Sequence, residues 1–414
     1  MMQKPLDSRK PSPRPIEQKP KGLEQSWFAD FLLLGVFLGV IFLGLATYWF
    51  GQDREVSVLE GRQLAQQPDV SVSAVRDGSY MEEFESYSSD QVFQRDRWMG
   101  LQAGFQKNVF QQKINNGVLA LDNGVLIGPD EPVRGFDNMK RLFPEFGATM
   151  QEQDVPVYFA SAPSKPVHAA QNEMIPDYVI SGDLESRGNL HDAVEGADFE
   201  LIDLGETLFE QPMEDIYFYN DHHWNVQGAF LGYQQIIERL QQDYEDVPKL
   251  EASDMETFKI EQPYYGSYAR EISLPYVEKL DYLEWMEPKD GFTTEVCRNG
   301  DDCGHSVIAR EEAEETNRFA DFYKVFMKDN YAQLRIEQKD PVNDLHVLVL
   351  KDSYANPVLG FLGESFGTVS AIDVRYAEGK VDITDYVEEN DVDLVLFMHN
   401  DRISGMSGDY EDSF

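Results

Sequence analysis

The chain has 414 residues, enough for one large domain or two ordinary ones. Asp and Glu number 75 against 35 Lys and Arg, a formal net charge of −40, and such a surface repels phosphates and argues against a nucleic-acid partner. The acidic excess reads instead as a solubilising surface, suited to salty surroundings where charge repulsion is screened.

Residues 1–30 are rich in Pro, Lys, Arg and Gln and carry six basic residues, Lys4, Arg9, Lys10, Arg14, Lys19 and Lys21. That composition predicts a disordered basic tail. Next comes FLLLGVFLGVIFLGLATYWF, residues 31–50, twenty residues without a charge. As a helix it spans the roughly 30 Å hydrocarbon core of a bilayer. Trp27, Tyr48 and Trp49 stand at its edges, as interfacial aromatics do. The basic tail predicts a single-pass anchor with its N-terminus cytoplasmic and everything after Gly51 extracellular. A cleaved signal peptide would have a shorter apolar core and a small-residue cleavage site. Residues 51–90 read as a polar stalk, and 91–414 as the extracellular domain, with an insertion at about 245–340.

Within that domain Trp98, Leu101, Phe105 and Val109 recur at three- and four-residue steps and predict a helix. NNGVLALDNGVLIG, residues 115–128, predicts a hairpin around Asp122-Asn123-Gly124. A helix is expected over 138–153, then buried strands at 155–163 and 199–204. After the insertion come strands at 345–350, 368–375 and 393–400, with helices from Pro357 to about Phe366 and over 383–389. Alternating strands and helices predict an α/β fold, a mostly parallel sheet covered on both faces. The insertion is acidic and aromatic with no long period, and reads either as a shaper of a substrate cleft or as decoration. It holds Cys297 and Cys303, the chain's two cysteines, whose spacing in a polar loop can close a small disulfide ring.

Two stretches carry chemistry. The first is YFYNDHHWNVQG, residues 217–228. In an extended segment Asp221 and His223 fall on one side, where the carboxylate can hold the imidazole Nδ1–H, and His222 points the other way. Asn225 can cap the departing helix, whose face is Val226, Ala229, Phe230, Tyr233, Ile236, Ile237 and Leu240. Trp224 reads as core or as a platform for a sugar. A turn with satisfied hydrogen bonds is the plain alternative, and a metal site lacks a third or fourth ligand at recognisable spacing, so no metal is expected.

The second stretch is KDSYANP, residues 351–357, between an apolar strand and a helix. Ser353 there is either a helix cap or a nucleophile facing the helix N-terminus. In an α/β sheet, strand-to-helix turns gather at the strands' carboxyl ends. Both stretches read as such turns, so both should open on one rim, where His223 can take the Ser353 proton and Asp221 can steady the imidazolium. A developing oxyanion needs donors. The backbone N–H of Ser353 or Tyr354 is the natural first one, with Asn356 and Asn400 as further candidates. Arg375 and Lys165 follow strand ends and are candidate substrate contacts.

DHHWN followed by a Gly-Ala helix, together with KDSYANP, resembles the DHHW proteins. These belong with the SGNH-hydrolase-like alginate O-acetyltransferases and related cell-wall polysaccharide acetyltransferases. FQRDRW, the NNGV hairpin, the PSK after the first strand and IDVRY (372–376) extend the resemblance over most of 90–400. It implies an SGNH-like three-layer sandwich and a triad of Asp221, His223 and Ser353. It also implies a polysaccharide acceptor outside the membrane, and a membrane-bound O-acyltransferase partner that supplies acyl groups. No cofactor is implied. An acetylesterase of the same build and a non-catalytic polysaccharide-binding or acylation-complex scaffold are the alternatives.

Overall fold

The computed structural model describes residues 27–57, 59–60, 62–130, 136–300, 302–377, 381–403, 407–411 and 413–414. The basic tail lies outside them apart from its last four residues. The chain divides into two compact units, one comprising residues up to 55 and 64–95, the other 56–63 and 96–414. In the first, Trp27–Phe50 is one α-helix of 24 residues. Side chains of residues 43 and 46–50 lie outside the description, and among the described residues no helix is long and apolar enough to cross a membrane. The expected stalk is not plain coil. It contains helices Val72–Asp77 and Ser79–Asp90, tied down by Tyr87 Oη donating to Asp53 and Ala65 N–H donating to Asp90.

The second unit is built on one eight-stranded sheet. In chain order its strands are β1 (Val157–Ala162), β2 (Glu200–Asp203), β3 (Thr294–Arg298), β4 (Asp302–His305), β5 (Gln333–Gln338), β6 (His346–Lys351), β7 (Thr368–Ile372) and β8 (Leu394–Asn400). Their spatial order is β4-β3-β5-β7-β6-β8-β1-β2. The run β7-β6-β8-β1-β2 is parallel. The remaining three strands are antiparallel additions, and all three come from the segment read as an insertion. That segment is therefore part of the sheet rather than decoration upon it. Cys297 and Cys303 are disulfide-bonded across the β3–β4 hairpin.

Both faces of the parallel part are covered, as its near-continuous apolar strands require. Along β8, Leu394, Leu396 and Met398 enter one core, which also holds the apolar face of helix α3 (Val226–Leu240) and helix α4 (Asn356–Ser365). Val395 and Phe397 enter the opposite core with residues of α1 (Asp137–Glu152) and α2 (Asp183–Glu195). This is a three-layer α/β/α sandwich. The expected hairpin at 115–128 is present and gains a third strand, Ile114–Asn115. The turn between them is Asn116-Gly117, both at positive φ as a two-residue hairpin demands. The helix at Arg95–Asn108 also forms, but Trp98, Leu101, Phe105 and Val109 are more than half exposed.

Candidate active site

Lys351 ends β6, and a 3-10 turn, Ser353–Ala355, leads into α4. Asp352 caps this turn, accepting the Tyr354 N–H at 2.8 Å through Oδ1. Its Oδ2 accepts the backbone and side-chain N–H groups of Asn400 at 3.0 and 2.8 Å. Burial alone would raise Asp352, but His399 and the Asn400 N–H outweigh it and bring the carboxyl down to about 2. Ser353 is thus presented at the carboxyl edge of the parallel sheet by a rigid, charged cap, with its side chain only partly buried.

The histidine stretch reaches that edge by a different route from the expected one. The run from Ile216 to Tyr219 is not a strand. Tyr217 and Trp224 form a single antiparallel bridge, and residues 218–223 loop out from it. Inside the loop Asp221 Oδ1 accepts both the His223 backbone N–H at 3.1 Å and its Nδ1–H at 2.6 Å. The pairing of Asp221 with His223 therefore comes from an Asx-type turn rather than from alternation along an extended chain. His222 does not point away. Its ring lies 3.7 Å from that of His223, and its Nδ1 meets Ser267 Oγ at 2.7 Å.

His223 Nε2 stands 2.8 Å from Ser353 Oγ. A hydroxyl, an imidazole and a carboxylate are thus connected in line by two hydrogen bonds. Asp221 Oδ2 accepts a third, from the Ser267 N–H at 2.9 Å. Burial would raise Asp221, but His222, His223 and these donors hold its carboxyl well below the usual carboxylate range. It is the ionised end of this hydrogen-bonded line.

The loop is held from below. Lys165 is fully buried, and its ammonium donates to the carbonyls of Phe218 (2.6 Å), Tyr219 (3.3 Å) and Asp221 (2.7 Å). Asp281 accepts the N–H groups of Tyr219 and Asn220 at 2.7 and 2.6 Å. Burial pushes Lys165 down and Asp281 up, and each charge opposes that push in the other. Lys165 is therefore a scaffold residue and has no route to a substrate.

The other candidates are placed as clearly. Trp224 is fully buried and donates its indole N–H to the Tyr354 carbonyl at 3.0 Å, which makes it core and not a sugar platform. The Tyr354 N–H is consumed by Asp352, and its hydroxyl donates to the His222 carbonyl at 2.7 Å. The buried amide of Asn356 bonds Lys351 and Asn330. That of Asn400 bonds Asp352 and the Arg402 N–H. These three are thereby engaged elsewhere, and Ser353's own N–H is left as the donor at this turn without a partner among the described residues. Arg375 is exposed and holds Asp373 through two N–H groups, at 2.8 and 2.6 Å.

Three site residues were missed in the sequence, all in the segment 245–340. Ser267 and Asp281 are described above. Tyr323 stacks on the free face of His223 with ring centroids 3.7 Å apart and planes 7° from parallel. A cleft of about 500 Å³ next to the turn Phe322–Val325 is lined by Arg270, Asn317, Phe319, Asp321, Phe322 and Lys324 among others, and not by Asp221, His223 or Ser353. Asp221, His222 and His223 also lie close enough to share a cation, but the Asp221–His223–Ser353 bonds already use the facing atoms.

Residues 204–372 match the DHHW protein family model. The match spans the histidine loop, the added strands and the serine turn. Bacillus cereus PatB1, solved with a sulfonyl adduct, is similar at 25% identity and TM-score 0.58, over 69% of this chain and 95% of PatB1. A DHHW family protein from Eubacterium siraeum is similar at 20% identity and TM-score 0.58, over 72% of this chain and 96% of that one. It shows that the fold is shared. The O-acetyltransferase domain of Pseudomonas putida AlgJ is a looser match, at 16% identity and TM-score 0.43, over 70% of this chain and 92% of that one. No curated protein matches the chain.

Proposed function

We propose that this protein is an SGNH-type O-acetyltransferase that moves acetyl groups onto hydroxyls of a polysaccharide outside the membrane. The observation that carries the reading is the unbroken line Ser353 Oγ–His223 Nε2, 2.8 Å, and His223 Nδ1–Asp221 Oδ1, 2.6 Å. A serine hydroxyl is hardly ionised at neutral pH and attacks only with a base at this distance. As the Ser353 oxygen bonds the donor's acetyl carbon, its proton passes to His223 Nε2, and the donor's leaving group then takes that proton away. A sugar hydroxyl next gives its proton to His223 and attacks the acetyl-serine. The C–O bond to Ser353 breaks, and the serine recovers the proton. The Ser353 N–H at the mouth of α4 is the first donor for each oxyanion. The sulfonyl adduct of PatB1 fits this reading, since sulfonyl reagents capture activated nucleophiles.

The same proposal places the chain on a membrane. The helix Trp27–Phe50 is about 36 Å long, and Phe31, Leu33, Val40 and Phe42 on it are each more than 60% exposed. That exposed apolar surface is the observation that supports a membrane-bound reading. An extracellular site then needs an acyl donor delivered there, which a membrane-bound O-acyltransferase partner would supply.

The test uses the full chain in detergent with an acetyl ester donor and neutral or anionic oligosaccharides. Acetylated oligosaccharide and an acetyl adduct on Ser353 are expected, and Ser353→Ala should lose both with its melting temperature unchanged. Acetate release without any acetylated acceptor would establish the esterase instead. Full cellular function of Ser353→Ala would establish the scaffold.

A further inference from the structure

Tyr323 lies 100 residues after His223 in the chain and reaches it only through the fold. The 3-10 turn Phe322–Val325 is capped by Asp321, whose Oδ1 accepts the Tyr323 N–H at 3.2 Å. Phe326 and Phe218 pack against the Tyr323 ring edge-on, at 5.2 and 6.4 Å. The ring is thereby fixed, and its face covers His223 at 3.7 Å and 7°. On the histidine's other side lies His222, at 3.7 Å and 38°. The Tyr323 hydroxyl is buried and faces the Trp224 indole N–H, which is already given to the Tyr354 carbonyl, so it gains no well-formed hydrogen bond. A buried hydroxyl without a partner costs free energy, so the hydroxyl does not explain the residue's placement. The ring does.

We propose that Tyr323 is a positioning residue of the triad, one that holds the His223 ring in line with Ser353 and stabilises the imidazolium through its π-face. The inference rests on the triad reading above. When Ser353 Oγ bonds the acyl carbon, its proton moves to His223 Nε2 and the ring becomes a cation. The negative face of an aromatic ring at this distance attracts that cation, most strongly where water is excluded. Asp221 fixes the histidine in its plane through Nδ1, and Tyr323 and His222 prevent it from tilting out. The titratable groups around His223 are Asp221 and His222 in its own loop, Ser353 and Tyr354 at the serine turn, and Asp321 and Tyr323 from the added segment. Burial holds the Tyr323 hydroxyl well above its usual range, so the ring stays neutral.

The experiment compares Tyr323→Phe, Tyr323→Leu and a series of fluorinated phenylalanines at position 323 in the full chain. Tyr323→Phe keeps the face and should retain kcat/KM within about two-fold. Tyr323→Leu should lose about 5- to 30-fold, mostly in kcat. The acid limb of its kcat/KM profile should move down by about half a pH unit to one unit, because the protonated ring loses support. The fluorinated series keeps ring shape while draining the π-face, and should shift the same limb step by step even if Tyr323→Leu fails to fold. An acid limb that ignores fluorination, in a protein that Ser353→Ala inactivates, overturns the role of Tyr323 and leaves the triad standing. If Ser353→Ala is itself active, the triad reading has failed instead.

Discussion

Gly266 is the position at which a single carbon atom should dismantle the relay. It immediately precedes Ser267, whose N–H holds Asp221, and it lies flat against that aspartate. A Cβ added there would sit 2.4 Å from the Asp221 Cβ, 2.6 Å from its Cα and 2.7 Å from Oδ2. Carbon atoms in ordinary contact stand about 3.5–4 Å apart, so roughly 1 Å of movement is required. Asp221 cannot yield freely, because Lys165 holds its carbonyl at 2.7 Å and Ser267 its carboxylate at 2.9 Å. Either the carboxylate moves away from His223 or the Gly266 backbone retreats and withdraws the Ser267 N–H. A displacement of this size stretches the 2.6 Å Asp221–His223 bond to the limit of hydrogen bonding. Misplacement by about 1 Å costs on the order of 100-fold in rate, and overpacking costs about 1–3 kcal/mol in stability. Gly266→Ala should therefore lower kcat about 100-fold in the acetyl-ester assay and lower the melting temperature by a few degrees. Backbone strain is not the cause, since φ at Gly266 is −73° and any residue can adopt it. A Gly266→Ala protein with unaltered kcat would refute the claim that Asp221 is held by close backbone approach.

Two further outcomes follow from the buried charges. Lys165→Met should cost about 3–5 kcal/mol in denaturant unfolding, because it leaves three loop carbonyls and the Asp281 carboxylate without their cation. A loss below about 1 kcal/mol would mean that the loop does not depend on this lysine. Asp352 has a folded pKa of about 2 against an ordinary value of 3.8, a depressed carboxyl. Its contribution, on the order of 2 kcal/mol, is present above pH 4 and is lost as pH falls toward 2. Asp352→Asn should therefore flatten the acid end of the stability profile, measured by unfolding between pH 2 and 5. An unchanged slope there would mean that Asp352 does not carry the acid sensitivity.

The parts of the fold legible in the sequence were those with strong local patterns. LHVLVL and DLVLFMHN are apolar on both sides because β6 and β8 are buried on both faces. The α3 face was readable because Val226, Ala229, Phe230, Tyr233, Ile236, Ile237 and Leu240 all reach one core. Asn225 caps that helix as expected, accepting from the Gln227 and Gly228 N–H groups. Ser353, His223 and Asp221 were legible because two short motifs carried them, although the loop geometry was not. The segment 245–340 was opaque for a physical reason. Its strands are short and its turns are 3-10, and their partners lie far along the chain, as when β5 pairs β7. Alternation was present in β5, where Leu334 and Ile336 are buried, but six residues are too few to stand out from acidic surroundings. Nothing local marks Gly266 or Tyr323, whose roles exist only after folding. The helix at Arg95–Asn108 was legible from its three- and four-residue steps, although the structure leaves that apolar stripe exposed.

The division of labour between scaffold and added segment has an energetic basis. The sheet edge supplies Ser353 on a capped turn, but His223 and Asp221 sit on a six-residue loop, 218–223, outside the sheet. Ordering six backbones costs about 6–12 kcal/mol. Five short charge-assisted bonds meet that cost: two from Lys165, two into Asp281 and one from the Ser267 N–H. At about 1.5–3 kcal/mol each they contribute about 8–15 kcal/mol. Three of the five come from residues 267 and 281, so without that segment the remaining two, at most about 6 kcal/mol, only reach the lower limit of the ordering cost. Tyr323 then fixes the histidine ring on a loop that is already ordered. The segment that carries no recognisable motif is accordingly what holds His223 rigidly at a fixed distance from Ser353.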